Sequence, residues 1–212
     1  MIDGAVLLGG GGDPGLELRQ VVVATRNPGK LAELRRLLAP RPVRLLGLDE
    51  AGVTEDTAEP GPGYAENAMA KAVAASRATG LPAIADDSGI EVLALGGWPG
   101  PESARWLPGS DADRLQALLD EVARRSPGDP RARYVAAVAL ARPDAQPILA
   151  HGSCDGMLVA PRGSGGFGYD PGFLSSDLGI TFAEASPEQK DAVSHRARAI
   201  QRLRECGAFD RL

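Results

Sequence analysis

Short apolar, β-branched segments alternate with longer stretches of helical periodicity along this chain, and this alternation restricts its fold more than any other feature. Residues 21–24 are apolar throughout, as in a strand buried on both faces. Leucines then recur at helical spacing up to Pro40, where the helix should end. Alternation of this kind predicts an α/β fold in which helices flank a mixed, partly antiparallel central sheet.

The remaining predicted elements have recognisable boundaries. Residues 134–141 and 148–159 have the pattern of a hairpin that turns at Pro143 and the aspartate after it. Ser186 is placed to cap the last helix, with Pro187 at its first position and Gln189 completing a capping box. The other predicted elements are helices over residues 64–78 and 111–125, and strands over residues 83–85 and 90–93 on either side of an acidic turn.

Length and composition favour one substantial domain. The chain has 212 residues, which predicts a single domain over residues 19–212. Residues 1–18 contain a run of glycines, Gly9 to Gly12, which cannot propagate a helix or a strand at low cost. We therefore expect residues 1–18 to be a flexible tail.

Charge and cysteine content argue against several classes of function. The net charge of -5 gives no non-specific hold on nucleic acid, because that hold comes from Lys and Arg neutralising phosphates. No apolar run approaches the roughly 18 residues that a membrane span needs. The two cysteines form no Cys-x-x-Cys pair and cannot make a disulfide framework. The first arginine is Arg19, so the short apolar run near the N-terminus lacks the basic region that precedes it in a signal peptide. We expect a cytoplasmic protein that binds neither nucleic acid nor membranes.

The segment Ala-Thr-Arg-Asn-Pro-Gly-Lys, residues 24–30, lies between a predicted strand and a predicted helix. A helix N-terminus after such a turn presents backbone N–H groups to a phosphate. Thr25 and Asn27 add donors there, and Lys30 adds a positive charge. The segment lacks Walker A spacing, so an ordinary strand-to-helix turn capped by Asn27 is an equal alternative.

Asp86 and Asp87 lie between two apolar stretches. Adjacent carboxylates are costly to bury unless they hold a cation or take part in acid–base chemistry. Because consecutive side chains of a strand point to opposite faces, one carboxylate can face a metal while the other braces the turn. The alternative is an exposed turn. A second acidic group, Glu55, Asp56 and Glu59, is typical of a solvated loop unless folding brings it close to Asp87.

A glycine-rich segment, residues 163–171, contains Phe167, Tyr169 and Asp170. Glycines let the backbone approach a ligand, aromatic rings stack on bases, and a carboxylate accepts hydrogen bonds from a base or a ribose. The segment therefore predicts part of a nucleoside site. The alternative is a mobile loop with its two rings in the core.

Lys190, His195 and Arg196 lie on the last predicted helix. The apolar stripe of that helix consists of Val193, Ala197, Ile200 and Leu203. Lys190 and Arg196 flank this stripe, where they could reach over the rim of a pocket. On one regular helix His195 points away from the stripe, which predicts a surface histidine.

Five stretches of the chain, taken together and in this order, carry a family resemblance. They are VVVATRNPGKLAEL, ENAMAKA, LPAIADDSGIEVLALGGWPGPESARW, GGFGYDPGF and SPEQKDAVSHRARAI, and they extend from Val21 to Ile200. In this combination the chain resembles the inosine triphosphate pyrophosphatase family, also called dITP/XTP pyrophosphatases. The resemblance implies two lobes with the active site in the cleft between them, and a homodimer. It also implies Mg²⁺-dependent hydrolysis of ITP, dITP or XTP to the nucleoside monophosphate and pyrophosphate.

The resemblance further implies roles for individual residues. Asp87 is the implied catalytic residue, which activates water, and the implied magnesium ligands are Glu59 and Asp87. The implied phosphate-binding residues are Thr25, Arg26, Asn27, Pro28, Gly29, Lys30, Lys71 and Lys190. The implied nucleoside-binding residues are Ser88, Phe167, Gly168, Tyr169, Asp170, His195 and Arg196.

Selection of the base follows from hydrogen-bond chemistry. Hypoxanthine and xanthine carry an acceptor, O6, where adenine carries an amino donor, so donation from Arg196 and a protonated His195 would favour the oxo purines. An unpaired buried donor facing adenine costs about 1–3 kcal/mol. The exclusion of guanine stays open at this point. Two alternatives also stay open: a pyrophosphatase for other modified nucleotides, and a nucleotide-binding regulator in which Asp87 only anchors the metal.

Overall fold

One six-stranded sheet organises the structure, a computed structural model that describes residues 19–39, 43–55 and 61–210. The strands are β1 Arg19–Val23, β2 Val43–Gly47, β3 Ala83–Val92, β4 Arg131–Arg142, β5 Ala145–Leu158 and β6 Phe173–Ser175. The α-helices are α1 Pro28–Leu38, α2 Tyr64–Thr79, α3 Asp111–Arg125, α4 Pro187–Val193 and α5 His195–Glu205. No helix among these residues is long and apolar enough to cross a membrane.

The sheet is mixed, as the sequence predicts. Its strand order is β2-β1-β3-β4-β5-β6. Strand β1 runs parallel to both β2 and β3, whereas each pair from β3 to β6 is antiparallel. The predicted hairpin is β4 and β5. Strand β4 begins three residues earlier than predicted, where Arg131 pairs with Met157, and β5 begins three residues earlier, at Ala145 beside the turn. The predicted mixed α/β fold is therefore confirmed.

Strand β3 corrects one prediction, because it is continuous where the sequence indicates an acidic turn. Asp86 pairs with Val138 and Asp87 with Ala137 in an unbroken antiparallel ladder along β4. Both carboxylates lie inside the strand and are buried, so the alternative of an exposed turn is excluded. Propensity disfavours Asp in strands, but pairing with the long neighbouring strand overrides it.

Hydrophobic cores lie at opposite ends of β3. The first, at the beginning of the strand, consists of two clusters on the two faces of the sheet: Ile84 packs with α1 and α5 on one face, and Ala85 packs with α2 on the other. The second surrounds the end of the strand, where Ile90 packs with α3 and with Phe173. Residues 86–89 cross from one core to the other, and this polar crossing is the junction between the two predicted lobes.

The predicted tail, residues 1–18, lies outside the described residues. We expect that removing residues 1–17 changes the melting temperature by no more than a few degrees and leaves activity unchanged. A glycine-rich segment with few large apolar groups has little burial to offset its ordering entropy, and the described cores begin at Val21. Differential scanning calorimetry of the truncated and full chains tests this, and a larger fall would show that the segment packs on the domain.

Candidate active site

A cleft lies at the junction of the two cores. Its walls come from the N-termini of α1 and α3, the polar part of β3, strand β4, the glycine-rich segment and the start of α5. These elements are distant in sequence, and the sheet brings them together because β3 is its third strand and pairs with β4. The cleft therefore gathers most of the clusters that the sequence analysis identifies.

The N-terminus of α1 forms one end of the cleft. The Asn27 side chain accepts a hydrogen bond from the Lys30 backbone N–H at 3.0 Å and caps the helix, while Pro28 occupies its first turn. The capping alternative is therefore confirmed. Asn27 and Lys30 also line the cleft, so the ligand-binding prediction is compatible with capping and stays a prediction. The Phe167 ring packs against Gly29 so closely that a Cβ there would overlap the ring. Thr25 supports the turn by accepting a hydrogen bond from the Asn27 N–H at 3.2 Å.

Arg26 does not line this cleft. Its guanidinium donates to Asp49 at 2.8 Å and to the backbone carbonyls of Val53 and Thr54 at 3.1 and 2.9 Å. These acceptors follow β2, so the side chain joins the α1 turn to the segment after that strand. The structure thus places the predicted phosphate ligand Arg26 as a support for the turn.

A buried network of charges forms the floor of the cleft. Arg196 donates to Glu33, to Asp86 at 2.7 Å and to the Ser88 hydroxyl at 3.0 Å. Lys190 lies 2.7 Å from Glu33 and 2.5 Å from Asp170. Each of these charged side chains is at most 5% exposed. The network locks α1, β3, α4, α5 and the glycine-rich segment to one another.

Glu33 is the member of this network that the sequence analysis misses. It lies on α1 one position before the buried Leu34 and three positions after Lys30, so it shares the buried face of the helix. An acidic residue on an apolar helical face indicates a buried ion pair, because such a group is almost never buried without partners. Its partners, Lys190 and Arg196, are more than 150 residues away and cannot be read from the helix alone.

The network fixes the charge state of its carboxyl groups. Burial alone would raise the pKa of Asp86 and of Glu33, but the nearby cations, above all Arg196, outweigh burial and hold both values below their ordinary range. For Asp170, burial outweighs the attraction of Lys190, and its pKa is raised. Burial also lowers the pKa of Lys30. The negative charge of Asp86, whose Oδ1 lies 3.5 Å from the Lys30 ammonium, acts in the opposite direction but does not outweigh burial.

Asp87 faces the opposite side of the sheet from Asp86, as the alternation along a strand predicts. Its carboxylate accepts from the Lys71 ammonium at 2.7 Å and from the Asn67 amide at 3.3 Å, both on α2. Neither Asp87 nor Lys71 lines the cleft, whereas Arg196, the partner of Asp86, does. The structure therefore divides the predicted site residues between the two faces of β3, with Asp87 and Lys71 on the α2 face.

The other predicted magnesium ligand, Glu59, lies outside the described residues. Among residues 19–39, 43–55 and 61–210, no group of three or more His, Cys, Asp or Glu side chains could hold a metal ion. The predicted ligand set therefore stays a prediction.

The glycine-rich segment divides its side chains between ligand cleft and core. The Tyr169 hydroxyl donates to the Ser103 carbonyl at 2.6 Å and accepts from the Trp106 indole at 2.8 Å, so its ring is part of the second core. Phe167 is only half-buried and lines the cleft, where its ring contacts Gly29 and lies 4.9 Å from the Lys190 ammonium. The Asp170 carboxylate is occupied by Lys190 and by the Phe167 N–H at 2.9 Å. The core alternative thus holds for Tyr169.

His195 is buried, and the prediction of a surface histidine is wrong. The last helix is interrupted at Ser194, whose hydroxyl accepts from the Ala197 N–H at 3.2 Å and caps a second helix. This break turns His195 inward, where its ring stacks on Tyr134 with centroids 4.6 Å apart. Burial, reinforced by the charge of Arg196, lowers the pKa of His195 well below its ordinary value. The imidazole is therefore neutral at pH 7, which also corrects the expected protonated donor.

The depressed pKa of His195 predicts that stability falls with acidity. Below about pH 6.5 the unfolded chain takes up a proton that the folded chain refuses, so the free energy of unfolding decreases by up to about 1.4 kcal/mol per pH unit. Urea unfolding between about pH 7.5 and pH 5.5 should show this slope, and His195→Asn should flatten it. His151→Asn removes an exposed imidazole as the matched control. An equal slope in the wild type and in His195→Asn would contradict the assignment.

Fold and site together define a two-lobed α/β protein with a charged cleft at the junction of its lobes. Comparison with known proteins then gives the family: the sequence pattern of the Ham1 family matches residues 21–206. This chain belongs to the Ham1 family.

Individual relatives agree with that membership. A protein named dITP/XTP pyrophosphatase from Symbiobacterium thermophilum is 48% identical over 188 residues, which cover 88% of this chain and 94% of the relative. The structure of a HAM1 protein from Coxiella burnetii superposes with a TM-score of 0.80 at 36% identity, covering 90% of this chain and 99% of that one. The Staphylococcus aureus Ham1 protein gives a TM-score of 0.78 at 34% identity, with coverage of 91% and 100%. The resemblance inferred from the motifs is confirmed.

Proposed function

We propose that this chain hydrolyses deaminated purine nucleoside triphosphates, ITP, dITP and XTP, to the nucleoside monophosphate and pyrophosphate, with Mg²⁺ as its cofactor. The observation that carries the proposal is the arrangement at the lobe junction. There β3 presents one carboxylate to each face, next to a helix N-terminus and four cationic side chains. These are Lys30, Lys71, Lys190 and Arg196. Relatives named dITP/XTP pyrophosphatase support the substrate class.

The phosphate groups of the substrate belong at the α1 end of the cleft. Free N–H groups at the start of a helix bind phosphate oxygens and favour negative charge. Lys30 lies at this end, and Lys71 lies across β3 on α2. A triphosphate carries too much charge for these two groups alone, so a divalent cation completes the neutralisation.

The chemistry of Asp87 fits Mg²⁺, because its buried carboxylate is the kind of ligand that this cation prefers. We propose Glu59 as the second carboxylate ligand. One oxygen of Asp86, Oδ1, is buried without a hydrogen-bond partner among the described residues and faces the Lys30 ammonium at 3.5 Å. When bound, Mg²⁺ would neutralise phosphate charge and make the anhydride easier to cleave.

Asp87 has the chemistry to activate water. Its buried carboxylate is held in place by Lys71 and Asn67, so it can accept a hydrogen bond from water and orient it toward phosphorus. Transfer of this kind depends mainly on positioning and charge neutralisation, so the mechanism needs no covalent intermediate. Asp87 is the proposed catalytic residue.

The proposed hydrogen bonds to the base must take into account that His195 is neutral and that Arg196 already bonds to other side chains of the protein. One nitrogen of a neutral imidazole donates and the other accepts, so His195 can still donate to O6 of hypoxanthine or xanthine. Arg196 uses four of its five N–H groups on Glu33, Asp86 and Ser88, which leaves one for the base.

We also propose a cytoplasmic homodimer that uses neither nucleic acid nor membranes as partners.

A substrate panel tests this function. Pyrophosphate release is measured with ITP, dITP, XTP, ATP, GTP and modified pyrimidine triphosphates, each with Mg²⁺ and with EDTA. The proposal predicts turnover of the first three that EDTA abolishes. Preference for modified pyrimidines would favour a different pyrophosphatase, and binding without turnover would favour a regulator. Sedimentation equilibrium separately tests the dimer.

A further inference from the structure

One wall of the cleft is formed by the first turn of α3. Asp111 and Arg114 both line the cleft there, and the sequence analysis assigns neither. The α3 helix belongs to the second core, whereas α1 belongs to the first, so the cleft runs from one lobe to the other. If phosphates occupy the α1 end, as the proposed function requires, the base must extend toward α3.

Both oxygens of the Asp111 carboxylate accept hydrogen bonds from other groups of the protein. Its Oδ1 accepts from Arg114 Nη2 at 2.6 Å, and its Oδ2 accepts from the Gly168 backbone N–H at 2.8 Å. Asp170, the other carboxylate that lines the cleft, is likewise bonded to Lys190 and to the Phe167 N–H. Each carboxylate is therefore paired with a cation, which makes it a weaker acceptor for an amino group on a base.

Arg114, in contrast, has N–H groups that make no hydrogen bond to the described residues. It donates to the carbonyls of Gly109 at 2.7 Å and Leu107 at 3.4 Å, and to Asp111. A guanidinium has five N–H groups, so about two remain without an acceptor among the described residues. Its side chain is only 15% exposed, so these donors are partly desolvated and sensitive to what faces them.

We propose that Arg114 is a specificity-determining residue that reads the 2-position of the purine ring. Xanthine carries an oxygen acceptor at that position, hypoxanthine carries hydrogen, and guanine carries an amino donor. Spare donors of Arg114 satisfy the xanthine oxygen and oppose the guanine amino group. Because Asp111 is neutralised by Arg114, the wall offers donors in preference to acceptors. This inference rests on the proposed function and supplies the missing exclusion of GTP.

The test compares Arg114→Ala with Arg124→Ala. Arg124 lies on the same helix and makes the same kind of pair, with Glu121 at 2.6 Å, but does not line the cleft. We measure kcat/KM for XTP and for GTP, each divided by the value for ITP, which has no substituent at the 2-position. Arg114→Ala removes the opposing donors and frees Asp111 to accept from the amino group. The ratio of GTP to XTP should therefore rise tenfold or more, and Arg124→Ala should match the wild type.

Two results would overturn the inference. An unchanged GTP-to-XTP ratio would show that Arg114 does not face the 2-position, and an equal loss for all three nucleotides would show that it only neutralises phosphate. If Arg114→Ala does not fold, Arg114→Gln keeps the stem of the side chain and should raise the ratio in the same direction. If the wild type does not hydrolyse ITP, the proposed function fails separately. The ratio of dissociation constants for XTP and GTP then tests Arg114 alone.

Discussion

Replacing Asp87 with asparagine is expected to lower kcat for ITP by about 100-fold or more, a rise in the activation barrier of about 2.7 kcal/mol. Asparagine has nearly the same shape but lacks the negative charge that holds Mg²⁺ and orients water. Because Asn67 and Lys71 surround a carboxylate in the wild type, the substitution removes charge without opening a cavity. Steady-state kinetics with saturating Mg²⁺ measures the effect.

Asp49→Asn is the matched control for this change. Asp49 also pairs with a cation, Arg26 at 2.8 Å, but its side chain is 90% exposed and lies outside the cleft. The Asp49→Asn variant should have the same activity as the wild type, because an exposed pair contributes at most about 1 kcal/mol to stability. If Asp87→Asn kept more than about a tenth of wild-type activity, the loss would be below about 1.4 kcal/mol and the catalytic role would be wrong.

Replacing Arg196 with alanine should have the largest effect on stability. The guanidinium is 1% exposed and neutralises both Glu33 and Asp86, so its removal leaves two buried carboxylates short of a partner. Breaking a buried ion pair by removing one member costs about 3–5 kcal/mol. We expect the free energy of unfolding, measured by urea denaturation, to fall by about that amount.

Arg198→Ala is the control on the same helix. Arg198 pairs with Asp177 at 2.9 Å, but its side chain is 40% exposed, so its removal should cost about 1 kcal/mol or less. Equal destabilisation by the two substitutions would show that the buried network contributes no more than a surface pair. If Arg196→Ala folds, the ratio of kcat/KM for ITP and ATP tests whether its remaining donor reads the base. An unchanged ratio would exclude that role.

Local signals in the sequence predict several elements well. The α3 helix is predicted over residues 111–125 and observed as Asp111–Arg125, because its polar start and apolar stripe are local features. The capping box of Ser186 and Gln189 is likewise predicted and observed. Strand β2, Val43–Gly47, is missed, because five residues of which only Leu46 and Gly47 are buried give too little periodicity.

Pairing between distant segments accounts for what the sequence does not predict. The continuity of β3 comes from its ladder with β4, about 50 residues later. The inward position of His195 depends on a helix break at Ser194, and a serine inside a helical pattern does not by itself indicate a cap. The site clusters are recognisable locally, but their division between the two faces of β3 follows only from the sheet. The partners of Arg114, which are Leu107, Gly109 and Asp111, are close in sequence, but its place in the cleft depends on distant segments such as the one that contains Gly168.

Identification of the reaction products tests the central proposal most directly. The chain is incubated with ITP and Mg²⁺, and the phosphorus-containing products are followed by ³¹P NMR. Attack by water at the α–β anhydride predicts IMP and pyrophosphate in equal amounts, with no IDP at any time. Formation of IDP and orthophosphate, or the absence of turnover with Mg²⁺ present, would contradict the proposed function.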